Sequence, residues 1–435
     1  MLQPKGDGQI SKRKPRTERR NLSFLTGQGT CAIMGWTMAG PSIVLTYVAI
    51  ALNLPVIVAG LLVTTRHLAC FGTNIFGSGL AVNIQNRKQA IAVFDCIVAG
   101  SYALVVAVVL TGNNTAIIAG LFAAVAIGAT VKEFKVLLMT DLLGDNLQPE
   151  GRRKIHYTQM LIAGLGVVVL TGFAHWHLRE NPPIDHYSAI ISIAIICFFG
   201  SALLMMAFDD EQPAAVESRS GRRSKGRPIL HTFLPDARVL LAQGWFRKFL
   251  YLRLLIVSAG LSLPFFSLIT ALAHSSSSQV LATLIISAAA ASIVASRLWR
   301  GFNEYSNRLV IVLSATLIAA TGFVLLIEYN FNLANSVYLH AGVLFVVTVA
   351  LKGLTSAQTL HLLEIAPKRQ RIACQAVSKS ISRAFVIALS FVLATLAHAD
   401  AFNWIIVLII AAALAAALTS RLTMKADENV AQLRA

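Results

Sequence analysis

Lys132, Glu133 and Lys135, in ATVKEFK, interrupt an apolar run from 114 to 140 that is otherwise suited to hydrocarbon. A charge at membrane depth costs about 3 kcal/mol on insertion scales, so each of these groups is either paired or put to use. On a helix Lys132 and Lys135 stand about 60° apart, with Glu133 turned away from Lys135. Lys352 breaks a second run, 336 to 362, at a similar depth. The run 372 to 397 adds Gln375, Lys379, Ser382 and Arg383, spaced as one polar stripe, and 56 to 82 adds Arg66 and His67. Against Lys132, Lys135, Lys352, Arg66, Lys379 and Arg383, the acids well inside apolar runs are Asp95 and Glu133. Two carboxylates do not neutralise that set. Either these cations form a site for an anionic or zwitterionic solute, held by charge-assisted hydrogen bonds, or they pair and snorkel. In the second reading Asp95 takes Lys135, Glu133 takes a neighbour, and Lys379 reaches for the interface. Glu133 and His67 are the candidate proton carriers, a carboxylate and an imidazole able to titrate in an apolar setting. A packing role for His67 stands beside that one.

The elements that carry these residues are long apolar segments. The chain has 435 residues, 56% hydrophobic and 13% charged, too little polar surface to clothe a soluble globule. A hydrocarbon core of about 30 Å needs about 20 helical residues. Runs of that order lie at 30–52, 56–82, 90–111, 114–140, 158–174, 187–208, 249–272, 279–297, 309–329, 336–362, 372–397 and 402–420. They are continuous rather than alternating, which excludes a transmembrane β-barrel. The fold class expected is an all-α polytopic membrane protein of twelve transmembrane helices in two pseudo-symmetric six-helix halves. Its parts are a basic tail 1–29, a half 30–208, a linker 209–248 rich in charge, Pro, Gly and Ser, a half 249–420 and a tail 421–435. Residues 233–246 in the linker could form a short surface helix. GPSIVLTYVAIAL with Pro41 in the first helix is echoed by GLSLPFFSLITAL with Pro264 in the seventh. Together with Gly35, Gly40 and Gly260 these prolines fit bent helices, and parallel halves place a solute site between them near the midplane.

The net charge of +17 is not spread evenly. Of 37 Lys and Arg residues, 28 fall in the N-terminal tail, the even-numbered connections and the C-terminal tail, one (Arg179) in an odd-numbered connection and eight within the runs, Arg297 as the last residue of its run. That bias puts both termini in the cytoplasm of a cell (inner or plasma) membrane protein. It also makes SKRKPRTERR a topology signal that meets anionic lipid rather than nucleic acid. The first apolar run is too long for a signal-peptide core. Cys31, Cys70, Cys96, Cys197 and Cys374 are scattered, and His175 and His177 point about 200° apart, so neither a disulfide framework nor a metal site is indicated. There is no nucleotide-binding GxxxxGK[ST] loop, and no HExxH, paired-acid or GxSxG constellation in a helix, so neither a cofactor nor an enzymatic role is expected.

The connection between the second and third helices reads GLAVNIQNRK, Gly79 to Lys88. It resembles the loop signature of the major facilitator superfamily, Gly-x-x-x-Asp-Arg-x-Gly-Arg-Lys/Arg. Gly79, Arg87 and Lys88 match, while Asn83 replaces the acid, Ile84 the first Arg and Asn86 the second Gly. Asn tolerates the left-handed turn that Gly would make there. In the second half, RGFNEYSNRL puts Glu304 at the acidic position, Asn307 at the turn and Arg308 at the basic one. LLEIAPKRQR, with Glu364, Pro367 and Arg371, resembles the family's pattern after the tenth helix, and Asp141, Pro149, Arg152 and Arg153 are its first-half counterparts. The resemblance spans 30–420 and implies a two-half transporter in which helices one, four, seven and ten line a cavity and helices two and eleven form a lateral gate. It also implies that the loop acid, here Glu304 in place of Asn83, holds the cytoplasmic side closed.

Two functions then compete. One is a monomeric secondary transporter of a small solute by alternating access, with the bilayer and protons as its other partners. The other is a transporter-like protein that serves as an assembly or interaction factor, favoured by the altered GLAVNIQNRK loop.

Overall fold

The computed structural model describes residues 15–82, 84, 86–146, 149–178, 180–208, 237–274, 278–331, 336–367 and 370–422. Among them are twelve helical spans long and apolar enough to cross a membrane, and no strand. The first half holds α1 (Pro15–Met38, continued by Pro41–Leu45 and Thr46–Ala51), α2 (Val56–Val82), α3 (Arg87–Thr111), α4 (Asn114–Asn146), α5 (Pro149–His177) and α6 (Pro183–Met206). The second holds α7 (Gly244–Ala259, continued by Ser262–His274), α8 (Ser278–Tyr305), α9 (Asn307–Phe331), α10 (Val337–Ile365), α11 (Arg371–His398) and α12 (Phe402–Leu422).

The breaks in α1 and α7 follow from their sequences. Gly40 is extended (φ −63, ψ 138), because the ring of Pro41 disfavours a helical residue before it and supplies no N–H to the preceding turn. A Cβ on Gly40 would stand 2.5 Å from the Trp36 carbonyl oxygen, so no other residue fits that bend without moving the backbone. In α7 the break falls at Gly260 and Leu261, and Pro264 sits in the first turn of the continuing piece, where its missing N–H is tolerated.

The two halves repeat one another's packing. In the first, α1 lies on α5 and α6, α3 on α4 and α6, and α2 on α4; in the second, α7 lies on α11 and α12, α9 on α10 and α12, and α8 on α10. The halves meet along α2–α11 and α5–α8, which exchange places under that repeat. Lipid offers no hydrophobic drive between helices, so close backbone approach through small residues must supply the attraction. Both seams have it: a Cβ on Gly60 would lie 2.7 Å from the Ala394 Cβ, and one on Gly164 would lie 2.9 Å from the Ala289 carbonyl oxygen. Gly164→Val is accordingly expected to destabilise the protein by about 1–3 kcal/mol through overpacking. An unchanged thermal unfolding midpoint in detergent would contradict the seam.

The second pieces of α1 and α7 pack together at one end of the molecule, where the Tyr47 hydroxyl donates to the His274 carbonyl at 2.9 Å. At the other end α4 and α5 make at most sparse contact with α10 and α11 among the described residues. The halves therefore bound a cleft, closed at the His274 end and open at the end that holds Arg87 and Arg308. Large apolar side chains such as Leu110, Val169, Phe173, Ile196, Leu203 and Leu418 are exposed around the outside, as a lipid-facing surface requires. Trp176, Tyr338 and Trp404 are exposed near the closed end, the place of an interfacial aromatic belt.

Two boundaries differ from the sequence reading. The first span begins at Arg20 in a helix that starts at Pro15, so the tail does not run to 29. The reason is polar: Gln28, which interrupts the apolar pattern, is buried and bonded inside the half. Residues 237–242 are helical and lead into α7, which takes up the last part of the predicted linker; 209–236 lie outside the described residues.

A cationic cleft between the halves

Lys135 does not face the cleft freely. Its ammonium donates to both oxygens of Asp95 on α3, at 2.5 and 2.7 Å, and the Ser201 hydroxyl on α6 donates to Asp95 Oδ2 at 2.7 Å. Gln28 of α1 donates to Ser201 Oγ at 3.0 Å, and the Gln28 carbonyl oxygen stands 3.1 Å from the same hydroxyl. Four helices of one half are thus tied at a single buried ion pair. Lys135 is thus held in a buried ion pair, the pairing with Asp95 set out as the alternative to a solute contact.

Glu133, on the other side of α4, pairs with Arg383 of α11. This ion pair crosses from one half to the other. Around it stand Arg66 and His67 on α2, with Arg66 donating to Ser42 Oγ in the second part of α1 at 2.9 Å. Both Arg66 and Arg383 act electrostatically on His67, which leaves that imidazole flanked by cations. Lys379, one turn before Arg383, interacts with Glu133, Arg383 and Arg253. The proton-carrier candidates therefore sit inside a predominantly positive cluster, Glu133 already engaged as its counter-ion. The pair's side chains remain 15% and 20% exposed, so its coupling should be below that of a dry pair. A double-mutant cycle of Glu133→Gln and Arg383→Gln by thermal unfolding should give a coupling of about 1–2 kcal/mol. Additive effects of the two changes would contradict a direct pair.

Lys132 lies one helical step away and has no carboxylate within ion-pair distance among the described residues. Its ammonium rests over the Trp36 ring, 4.3 Å from the centroid. That ring is held edge-on by Phe198 and Tyr102, at 5.4 and 6.2 Å between centroids. Such a cation–π contact is worth about 1–2 kcal/mol when partly desolvated, less than a charge-assisted hydrogen bond to an anion. Lys132 also interacts with Arg66 and, across the cleft, with Lys352 of α10. Lys352 in turn interacts with His156 of α5. The packing residue Trp36 thus also serves as a rest for the cation.

The loop residues act within their halves. Asn86 is not left-handed (φ −102); its side chain caps α3 by accepting from the Gln89 N–H at 3.3 Å, which corrects the turn expected there. Arg87 and Lys88 occupy the first turn of α3, half-buried. Gly79 falls late in α2, while Asn83 and the side chains of Glu304, Asp141, Arg152 and Arg153 lie outside the described residues. Arg308 donates to the Ser420 carbonyl of α12 at 2.9 Å, and Arg371 to the Ala366 carbonyl at 3.3 Å. Glu364 accepts from Asn307 at the start of α9 and approaches His361 at 3.6 Å.

Two features escaped the sequence reading. Arg253 of α7 reaches Ser382 at 3.1 Å and Ser378 at 3.3 Å on α11, behind the polar stripe; its place in the first turns of an apolar run hid it. Glu328, near the end of α9, is buried and lies 3.5 Å from His340 of α10. A carboxylate so close to the end of a span reads as solvated when seen in one dimension.

No family model matches the chain. Among solved structures, a mutant form of the nucleoside transporter NupG superposes with a TM-score of 0.68 at 12% identity, over 94% of this chain and 100% of that one. The chain shares that fold. A POT family transporter in complex with a thioalcohol-conjugated peptide gives 0.63 at 12% identity, over 95% and 98% of the two chains. The proton:xylose symporter XylE, described as a major facilitator superfamily protein, gives 0.59 at 13%, over 94% and 95%. Uncharacterised proteins of Mycobacterium tuberculosis (strain ATCC 25618 / H37Rv) and Mycobacterium bovis (strain ATCC BAA-935 / AF2122/97) are each 24% identical over 362 residues, 81% of this chain and 67% of theirs.

Proposed function

We propose that this chain is a secondary active transporter that moves a small anionic or zwitterionic solute by alternating access, as a monomer and without an enzymatic step. The observation that carries the reading is the charge of the cleft. Lys132, Lys352, Arg66 and Lys379 have no ion-pair partner among the described residues, and Glu133 is already engaged by Arg383. Desolvated cations facing one another from the two halves are unfavourable until an anion bridges them. A bound solute would then draw the halves together at the open end, while the Tyr47–His274 contact gives way at the closed one. The fold supports this, since NupG, XylE and the POT protein are named as transporters. The charge bias of the connections favours placing the open end and both termini in the cytoplasm of the inner or plasma membrane.

The test is counterflow into proteoliposomes loaded with pools of small solutes sorted by charge. Exchange of an anionic or zwitterionic pool is expected, with the cationic pool inert. Exchange of the cationic pool alone, or of none with folded protein, would overturn the proposal.

A further inference from the structure

A second titratable cluster lies at the closed end, away from the cleft. His340 of α10 is buried; its Nε2 is 3.5 Å from Glu328 Oε2 on α9, and its Nδ1 is 3.3 Å from both the Ser336 carbonyl oxygen and His274 Nε2 on α7. The His274 carbonyl accepts from the Tyr47 hydroxyl of α1 at 2.9 Å, and Tyr47 stands edge-on to Tyr187 of α6. Five of the helices at this end are therefore linked in one chain of contacts.

Without an added proton that chain buries a carboxylate charge with no Lys or Arg at ion-pair distance among the described residues. A carbonyl oxygen only accepts, as does an ionised carboxylate, and a neutral imidazole carries one N–H. If Glu328 is ionised and His340 neutral, Nε2–H donates to Glu328 and Nδ1 accepts from His274 Nε2–H, the Ser336 carbonyl being already bonded by the Leu339 and His340 N–H groups, so the carboxylate keeps its charge. One proton removes that charge in either of two places. On His340 it makes an imidazolium that donates to Ser336 and Glu328 together. On Glu328 it makes an acid that donates to His340 Nε2 while Nδ1–H donates to Ser336 or His274. The net charge of the pair goes from minus one to zero in both cases.

The other titratable groups on elements packed here are His398 and Asp400, exposed in the turn from α11 to α12, and His186 beside Tyr187 on α6. Ser287 of α8 donates to the Ala341 carbonyl at 2.5 Å, and Asn403 of α12 pairs with Asn330 of α9. Tyr329 and Tyr338 are exposed, and the connections 275–277 and 332–335 are Ser-Ser-Ser and Asn-Leu-Ala-Asn. We propose that Glu328 and His340 form a proton-binding site that, when occupied, fixes α9, α10 and the end of α7 and so holds the Tyr47–His274 closure. This site goes beyond the anion cleft and does not depend on it.

The experiment reads the closure directly, with no solute present. Ser267, fully buried in the second piece of α7, is replaced by Cys in a chain whose Cys31, Cys70, Cys96, Cys197 and Cys374 are serine. Maleimide reactivity in detergent is normalised to that of exposed Ala273→Cys, which removes the pH dependence of the thiol itself. Raising the pH from about 5.5 to 8.5, the range over which imidazole and its partners titrate, should raise the normalised rate at least about fivefold. In Glu328→Gln, the neutral isostere, the rate should stay flat with pH. Tyr47→Phe should react fast at both pH values, since the site is intact but its grip on α1 is gone. A flat wild-type profile, or a pH response unchanged in Glu328→Gln, would overturn the proposal. If Glu328→Gln does not fold, a responsive wild type beside a fast, unresponsive Tyr47→Phe supports it, and a responsive Tyr47→Phe overturns it. A failure here leaves the counterflow result untouched.

Discussion

Lys135→Met is expected to lower the stability of the protein by about 3–5 kcal/mol, the usual result of removing one partner from a buried ion pair. Asp95 is 1% exposed, and its two oxygens accept from Lys135, Ser201 and, at 3.5 Å, Gln28. Without the ammonium the carboxylate keeps neutral donors but loses its counter-ion in a place water does not reach. Lys135→Met combined with Asp95→Leu should recover most of the loss, because a buried pair replaced by apolar groups of similar volume is often neutral. The measurement is thermal unfolding of the purified protein in one detergent. If Lys135→Met unfolds with the wild type, the four-helix tie is not structural and Lys135 returns to the list of cleft cations.

The second large effect concerns Lys132 and Lys352. Each is expected to contact the solute as a point charge, so Lys132→Met and Lys352→Met should each weaken apparent affinity for the exchanged anion by about tenfold to a hundredfold, or about 1.5–3 kcal/mol. Folding should be little changed in Lys352→Met and should lose no more than the Trp36 contact, about 1–2 kcal/mol, in Lys132→Met, since methionine keeps the apolar stem and neither lysine carries an ion pair among the described residues. Lys132→Arg should restore only part of the affinity, because a guanidinium is a planar fork rather than a compact ammonium. It keeps a cation over Trp36, so the partial loss would come from the solute contact. Normal anion transport by both methionine variants would show that these lysines do not touch the solute.

The arrangement of spans was readable because twelve apolar runs and short turns leave few ways to cross a bilayer, and the Pro41 and Pro264 echoes marked the repeat. The depth of Lys132, Lys352, Arg66 and Arg383 was readable for the same reason, since span position fixes depth. Their partners were not. Lys132 and Lys135 are close on the helix surface, yet one rests on Trp36 and the other is spent on Asp95, forty residues away in sequence. That choice depends on which neighbouring helix each faces, and a residue's angle on its helix says nothing of the neighbour. Glu328 and Arg253 were missed for a related reason: near the ends of apolar runs, a charge has the same sequence signature whether it reaches water or is covered by another helix.

The account turns on a solute anion drawing the halves together at the open end. The distance between spin labels at Thr140 on α4 and Thr359 on α10, both exposed, measures this most directly. With the anion that the wild type exchanges, the distribution should shift to shorter distances, and the shift should be absent in Lys132→Met with Lys352→Met. A distribution that does not change at saturating anion, in protein that still exchanges it, would contradict the account.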